Sequence, residues 1–218
     1  PRVLSWLFRG ARWLLAEEDF FNEELFLQIV KYPHPTLRHK SQPVRRVDAE
    51  LRDSIRTMFE LMYEAQGIGL AANQVDLPLR LFVVNLSAEH EAETEQVFIN
   101  PVISHPQDHA EQEEGCLSLP GLYGPVRRPR KVRVEAYGLS GAHIVADLDG
   151  LPARVVQHEL DHLDGTLFID RMDSGAQEEL EAGLAAFETE FQQLREAGEI
   201  PPDDQVQARL LELQVKYC

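Results

Sequence analysis

The sequence predicts an α+β fold in which small, mostly antiparallel sheets surround a central helix. Short β-type segments occur at residues 81–86, 96–100, 131–136 and 143–148. Helical patterns precede them at residues 49–66 and follow them at residues 151–163 and after Asp173. Because the last two strands are separated by a short glycine-containing turn, we expect them to pair as an antiparallel hairpin.

The first helix has both a start signal and an apolar face. Asp48 is a suitable N-cap for a helix over about residues 49–66. Its apolar stripe, which we interpret as core, comprises Leu51, Ile55, Met58, Phe59 and Met62. Among the strands, residues 81–86 and 96–100 have the composition of buried strands, whereas residues 131–136 alternate apolar and charged side chains as a half-buried strand does.

Composition limits the class of protein. The chain has 218 residues, two cysteines and a formal net charge of −16. This length suffices for one domain with appendages and a core that needs no disulfides. The negative charge argues against direct nucleic-acid binding, which usually requires a basic face. No apolar run approaches the ~20 residues of a membrane span.

Residues 1–26 are predicted to form an N-terminal helical extension. Apolar residues fall at helical spacing up to Leu15, three arginines precede any acid, and five acids follow. Three interpretations stay open: a helix packed on the domain or on a partner, a helix on a membrane surface, and a remnant of a targeting peptide. Only Ser5 supplies the hydroxyl groups that targeting peptides favour, which argues against the third.

The most informative segment is His158-Glu159-Leu160-Asp161-His162. Two histidines four residues apart share one helix face and can bind one metal ion together. A glutamate beside the first histidine can reach a water on that metal and act as general base. Pro152 at its start and Gly165 after its end support a helix here. The competing interpretation is an amphipathic helix with two solvated histidines.

Cys116 completes a candidate ligand set. It lies between glycines in a strand-like segment, and alone it would be interpreted as a small buried apolar residue. One cysteine and two histidines leave a tetrahedral position for water or substrate. A closed structural site would use a fourth protein ligand, so the open position indicates catalysis. This donor set accepts Zn²⁺ or Fe²⁺, and the residues by themselves do not choose between them.

Three ordered segments resemble the motifs of the peptide deformylase family. These motifs are a Gly-x-Gly-x-Ala-Ala-x-Gln loop, a Glu-Gly-Cys-Leu-Ser segment and a Gln-His-Glu-x-Asp-His helix. Residues 67–74, 114–118 and 157–162 match them position by position. Residues 30–38 also resemble the N-terminal strand and turn of the family. The likeness therefore extends over about residues 28–172.

The resemblance implies a metal-dependent hydrolase that removes the formyl group from the initiator methionine of new proteins and releases formate. It implies Cys116, His158 and His162 as metal ligands and Glu159 as the catalytic acid–base. Fe²⁺ is the implied native metal, with Zn²⁺ or Ni²⁺ as substitutes. The implied architecture is α+β, with the metal-binding helix at its centre.

Further site residues follow from the matched motifs. The Gln74 amide and the Leu117 backbone N–H are expected to stabilise the charge that develops on the formyl oxygen. Substrate contacts are expected at Gly67, Ile68, Gly69 and Val155. Ile68 and Val155 would form an apolar pocket for the methionine side chain, with Leu119 nearby. The glycines also fit a tight turn, and both roles are compatible. The other histidines lie in polar or loop-like segments and are predicted to be on the surface.

The domain prediction is a catalytic domain over residues 27–173, followed by an acidic helical C-terminal extension over residues 174–218. This extension holds ten acids and three bases, and Pro201-Pro202 divides it into two helices. Expected partners are N-formylmethionyl peptides and nascent chains, with a transient ribosome contact. The acidic tail departs from the basic helix that some relatives use for docking. A free thiolate suits a reducing compartment, so we expect the cytoplasm, with an organelle as the alternative.

Two other functions remain open. A zinc endopeptidase of the His-Glu-x-x-His type takes its third ligand downstream, and one such pattern requires His where this chain has Phe168. Glu181 stays available by spacing, but this hypothesis gives Cys116 and Gln74 no role. The second is a non-catalytic interaction protein with the deformylase fold. Such a protein would be expected to lose a ligand, Glu159 or Gln74, and none is lost.

Overall fold

A computed structural model of the chain describes residues 27–87 and 94–218. The predicted N-terminal helical extension, residues 1–26, lies outside them. The described residues form a five-stranded antiparallel sheet and four α-helices, so the α+β prediction is confirmed. The strands are β1 Gly69–Ala71, β2 Leu81–Val84, β3 Gln96–Cys116, β4 Leu119–Tyr137 and β5 His143–Asp149. The helices are α1 Ala49–Glu64, α2 Leu151–Leu163, α3 Ser174–Glu196 and α4 Asp203–Tyr217.

The strands follow one another in the sheet in chain order, β1-β2-β3-β4-β5. Several small sheets were predicted, and the described residues form one continuous sheet instead. The difference arises from β3 and β4, which are 21 and 19 residues long and pair along most of their length. The sequence predicts as strand only residues 96–100 and 131–136, at the ends away from the hairpin tip, and the strand-like segment around Cys116.

The rest of this ribbon has little β-type sequence signal. Pro101 and Pro106 interrupt the apolar pattern of β3, and both fall where the register shifts. Proline lacks the N–H that a sheet ladder uses, so it is tolerated at bulges and edges. Most residues of β3 from Ser104 to Glu113 are polar and exposed. The ribbon is therefore specified by pairing with β4 rather than by local propensity.

Helix α1 forms as predicted. The Asp48 side chain accepts a hydrogen bond of 3.0 Å from the Leu51 backbone N–H, which caps the first turn. The predicted stripe is the buried face: Leu51, Ile55, Met58, Phe59 and Met62. This face packs in a cluster with residues of β1 and β2 and with Leu213 and Tyr217 from α4. The first helix and the last are thus parts of one core.

Helix α2 carries the two histidines. It contacts β1, β2, β4 and β5, and Ala153, Val155 and Val156 pack in a second cluster against Phe82 and Phe98. After the helix, Gly165 adopts a φ of 74°, and a β-carbon there would lie 2.6 Å from the Arg38 carbonyl oxygen. Glycine therefore permits the chain to leave α2 close to the N-terminal segment.

The C-terminal helices pack against the domain. α4 buries Val206, Leu210, Leu213 and Tyr217, and its last carbonyl accepts hydrogen bonds from the backbone N–H groups of Arg45 and Arg46. α3 approaches the hairpin tip, where Leu122 occupies the space next to Gly183. None of the helices in the described part of the chain combines the length and apolar character that a membrane span requires.

The prediction that the remaining histidines lie on the surface is wrong for His34. His105, His109 and His143 are exposed and His39 is half-buried, while His90 lies outside the described residues. His34 is 6% exposed and packs edge-on against Phe191 of α3. Its Nδ1 accepts a hydrogen bond from the Thr36 N–H. Local sequence could not indicate this because the burial depends on α3. Burial, helped by the guanidinium charges of Arg209 and Arg195 against an opposing Asp203, lowers the pKa of His34 to about 4.

We expect His34→Asn to reduce the acid sensitivity of stability. Between the ordinary histidine pKa of about 6.5 and the folded value of about 4, the unfolded chain binds a proton that the folded chain does not. Acid therefore favours unfolding through His34, by about 3 kcal/mol at most. Asparagine keeps a side-chain acceptor at the start of the 3-10 turn but does not titrate.

The measurement is urea unfolding of both proteins at several values between pH 7 and about pH 4. The His34→Asn protein should lose less stability than the original chain over this range. Equal losses would show that His34 does not stay neutral in the folded protein.

Candidate metal centre

Cys116 lies at the tip of the β3–β4 hairpin. It pairs with Leu119 across a two-residue turn, and the register shifts between Gly115 and Cys116. The shift leaves residues 120–122 without a partner on β3, and they line one side of a cleft. The thiol is half-buried, and its Sγ accepts a hydrogen bond of 3.4 Å from the Ser118 N–H. The turn thus presents the sulfur to α2.

His158 and His162 lie one turn apart on α2 and face this sulfur. Cys116 Sγ is 3.2 Å from His162 Nε2, and one ligand atom from each of the three residues lies within 4.8 Å of the others. Metal–sulfur and metal–nitrogen bonds of about 2.3 and 2.0 Å place tetrahedral ligand atoms roughly 3.5 Å apart. The predicted three residues therefore come together with a spacing that fits one metal ion.

The second ring nitrogen of His158 has a buried partner. His158 Nδ1 lies 3.0 Å from Glu114 Oε2, which leaves Nε2 to face the cluster. Such a carboxylate selects the tautomer and orientation of a histidine ligand. Burial alone would raise the pKa of Glu114, but hydrogen bonds from His158 and Arg128 outweigh it and lower the pKa to about 2. Glu114 is therefore an anion at neutral pH.

Arg128 of β4 joins this carboxylate to α2. Its guanidinium group binds Glu114 through Nε and Nη2 at 2.7 and 2.9 Å, and Asp161 through Nη1 at 2.6 Å. Arg154 also donates to Glu114, and Arg171 to Asp161. The Arg128 side chain is 3% exposed, and an unpaired charge there would be costly. The network fixes the hairpin tip relative to α2.

Glu159 lies between the two histidines in the sequence, and its buried side chain lies beside strand β1. A β-carbon at Gly69 would overlap the Glu159 carboxylate, so glycine leaves room for this side chain. Glu159 Oε2 and His162 Nδ1 are both buried without a hydrogen-bond partner among the described residues. Burial raises the pKa of Glu159 to about 7, against the opposing charges of His158 and Arg128. A carboxyl group with that pKa can both accept and donate a proton near neutral pH.

Gln74 also lies next to the sulfur, in the 3-10 turn Ala72–Val75. The Ala71 N–H donates to Gln74 Oε1 at 2.9 Å, which assigns the amide orientation. Gln74 Nε2 then donates to Ser118 Oγ at 3.1 Å and lies 3.5 Å from Cys116 Sγ. The Leu117 side chain fills the space next to Gly67, where a β-carbon would lie 2.6 Å from Leu117 Cδ1. The motif glycines therefore allow β1 and the hairpin tip to pack closely.

A cleft of about 650 Å³ contains nine of the ten predicted site residues. They are Gly67, Ile68, Gly69, Gln74, Cys116, Leu117, Val155, His158 and Glu159. His162, the tenth, is 1% exposed and contacts the Cys116 sulfur. Ile68 is 38% exposed at the mouth, whereas Val155 and Leu119 are buried on the wall. The cleft is thus apolar, with a small cluster of polar groups at one place.

The sequence interpretation assigned no role to the ion network. Glu114 and Asp161 lie inside the matched motifs, which was the available signal for them. Their arginine partners Arg128 and Arg154 have no local signal, because the contacts depend on how β4 and α2 meet. Asn73 also donates to the His162 carbonyl, and this contact ties the Gln74 turn to the ligand helix.

Comparison with known proteins identifies the family. A statistical model of the polypeptide deformylase family matches residues 26–178. A peptide deformylase of Rhodopirellula baltica is 45% identical over 191 residues, which cover 88% of this chain and 95% of that protein. Peptide deformylase 1B, chloroplastic/mitochondrial, of Arabidopsis thaliana is 39% identical over 184 residues, 84% of this chain and 66% of that protein.

A solved structure agrees with these sequence matches. A crystal structure of peptide deformylase from Plasmodium falciparum superposes with a TM-score of 0.73 and 40% sequence identity, covering 76% of this chain and 97% of that chain. The resemblance that three short motifs indicated is therefore confirmed over most of the chain. The chain belongs to the polypeptide deformylase family, the metal-dependent hydrolases that remove the N-formyl group from the initiator methionine of newly made proteins.

Proposed function

We propose that Cys116, His158 and His162 hold the metal ion of this deformylase and that Glu159 is its general base. One observation carries the proposal: one thiol and two imidazoles lie within 4.8 Å of one another on an apolar cleft. The buried Glu159 carboxyl beside them, with one oxygen unpaired among the described residues, supports a proton-transfer role. When bound, the metal ion supplies a Lewis acid for the formyl carbonyl and for the attacking water.

We infer that Glu159 moves one proton through the reaction. It accepts the proton of the attacking water and delivers it to the amine of the methionine as the formamide C–N bond breaks. The products are formate and a peptide with a free N-terminus. The burial of Glu159 on the ligand helix, with one carboxylate oxygen unpaired among the described residues, supports this role.

Gln74 and Leu117 are proposed to stabilise the oxygen of the formyl group during attack. The Gln74 NH₂ group offers two N–H donors next to Cys116, and Ser118 accepts from this group. The Leu117 backbone N–H follows the cysteine directly in the hairpin turn. Removing one donor of this kind typically lowers kcat by about 10²–10³-fold.

The apolar wall of the cleft is proposed to bind the methionine side chain. Ile68 and Val155 line it, as does Leu119, so burial of the side chain favours methionine over a charged first residue. Gly67 and Gly69 are proposed to line a narrow channel for the backbone of the peptide substrate. The channel is narrow because Leu117 and Glu159 already fill the space beside these glycines.

We propose Fe²⁺ as the native metal, with Zn²⁺ or Ni²⁺ as substitutes. One thiolate and two imidazoles suit each of these ions, and the resemblance favours iron.

We expect protein purified without oxygen from iron-rich medium to contain about one iron per chain. X-ray absorption at the metal edge should show one sulfur and two imidazole nitrogens. A spectrum without sulfur, or with four protein ligands, would contradict the ligand assignment.

We expect Glu159→Gln to keep the metal but lose most turnover, because an amide cannot accept the proton of the water. The measurements are kcat for formate release and metal content after purification. Gly69→Ala is the companion variant, since its methyl group must displace the Glu159 carboxylate. It should lower kcat by at least about tenfold, as small misplacements of a catalytic group do.

Gly121→Ala provides a control for glycine replacement in the same cleft. Gly121 has a φ of 81°, so alanine at this position strains the backbone. No atom lies within 4 Å of the added carbon, so the variant does not touch Glu159. We expect the metal content of Gly121→Ala to resemble that of Gly69→Ala. Metal-replete Glu159→Gln with nearly normal kcat would contradict the role of Glu159.

The test of the function itself is a comparison of three peptides. The metal-loaded enzyme should release formate from a formyl-Met peptide and leave the acetyl-Met counterpart intact. An acetyl methyl must enter a packed space where formyl has only hydrogen, at a cost of about 1–3 kcal/mol or more. The third peptide is long and unformylated. Its internal cleavage, without formate release from the first, would favour the endopeptidase alternative.

We further propose the division of the chain into a catalytic domain, residues 27–173, and extensions over residues 1–26 and 174–218. Every residue given a catalytic or binding role above lies between Gly67 and His162. Nascent formylated chains are the proposed physiological substrate, reached by a transient ribosome contact that does not use a basic C-terminal helix, because residues 174–218 are acidic. The proposed compartment is the cytoplasm, with an organelle as the alternative.

A further inference from the structure

The last helix reaches the back of the turn that carries Gln74. α4 lies beyond residue 178, where the family match ends. It buries Val206 and Leu210, and between them Arg209 forms an ion pair with Asp76. Arg209 Nη2 also donates to the Asp76 backbone carbonyl at 3.3 Å. One side chain of α4 therefore binds both the carboxylate and the backbone of a residue two positions after Gln74.

Asp76 is an unusual point in the backbone. It ends the 3-10 turn Ala72–Val75 in the left-handed region, with φ 64° and ψ 27°. A residue other than glycine persists in a sparsely populated backbone region of this kind only when its neighbours hold it there. Aspartate tolerates the left-handed region better than most residues, but the conformation still depends on its surroundings.

Three contacts hold this aspartate. Besides the two from Arg209, the Thr36 hydroxyl donates to the Asp76 carboxylate. The Asp76 side chain is 18% exposed and that of Arg209 43%, so their ion pair adds little to overall stability. The contacts of Asp76 with Arg209 and Thr36 instead fix the position at which the turn ends.

The position of the turn sets the position of the Gln74 amide. Gln74 is 1% exposed, and the Val30 N–H donates to its carbonyl at 2.8 Å. Its Nε2 lies 3.5 Å from Cys116 Sγ, so a displacement of the turn by a few tenths of an ångström changes this contact directly. A donor to a developing oxyanion is sensitive to such displacement.

We propose that Arg209 is a positioning residue for deformylation, acting through Asp76 on Gln74. The inference rests on the proposed role of Gln74 in stabilising the formyl oxygen. α4 is then part of the working enzyme: it holds the left-handed end of the catalytic turn from outside the cleft. Arg209 does not line the cleft that holds the proposed site residues, so its effect is expected in turnover rather than in binding.

The primary variant is Arg209→Met in the metal-loaded chain of 218 residues. Methionine keeps the length and apolar stem of the side chain, and Arg209 borders a cavity of about 580 Å³, so no overpacking is expected. We expect kcat on a formyl-Met peptide to fall by about tenfold, with KM and metal content changed less than about twofold. Asp76→Asn, which keeps left-handed tolerance but removes the charge, should lower kcat similarly.

Arg195→Met is the matched control. Arg195 pairs with Asp203 at 2.6 Å and so also links α3 to α4, but neither residue of this pair contacts Asp76. We expect it to leave kcat within about twofold of the original enzyme. A loss of kcat equal to that of Arg209→Met would show a general effect of loosening α4 and would overturn the inference.

A double-mutant cycle with Gln74→Ala tests the route of the effect. If Arg209 acts through Gln74, Arg209→Met should lower kcat in the original enzyme but by less than about twofold in the Gln74→Ala background. Equal losses of kcat in both backgrounds would overturn this inference alone. So would a normal kcat in Arg209→Met and in Asp76→Asn, if Gln74→Ala is impaired. A normal kcat in Gln74→Ala would contradict the proposed role of Gln74 as well.

Discussion

Arg128 binds two carboxylates that come from different elements, Glu114 on β3 and Asp161 on α2, and the candidate metal centre depends on this connection. The cysteine lies at the tip of one element and the histidines lie on the other. The link between hairpin and helix holds one sulfur and two imidazole groups close together. Burial makes the link specific, because an unpaired charge at any of these positions would cost about 3–5 kcal/mol.

The same connection explains why the first motif is rich in small residues. With α2 and the hairpin tip held together, strand β1 must lie against both. Glu159 occupies the space beside Gly69, and Leu117 occupies the space beside Gly67. The glycines leave room for the Leu117 and Glu159 side chains, and close packing turns a short loop into one wall of the cleft.

The C-terminal region takes part in this arrangement from the outside. α3 covers His34 and approaches Leu122 at the hairpin tip, while α4 completes the core beside α1 and reaches Asp76. The acidic side chains of this region are exposed, and the buried contacts of α4 are made by apolar side chains. The negative charge of the C-terminal region is therefore a property of its surface, and its role in the fold follows from its packing.

The sequence by itself determined the α+β class, the helices at residues 49–64 and 151–163, the family, and nine of the residues that line the cleft. It could do so because these features are local: a cap, an apolar stripe, or a ligand spacing within one turn. The tertiary structure decided the extent of the β3–β4 ribbon, the burial of His34, the pairing of Glu114 and Asp161 with Arg128, and the contact between Arg209 and Asp76. Each of these depends on residues distant in sequence meeting in space, and no local pattern of propensity or spacing specifies which of them meet.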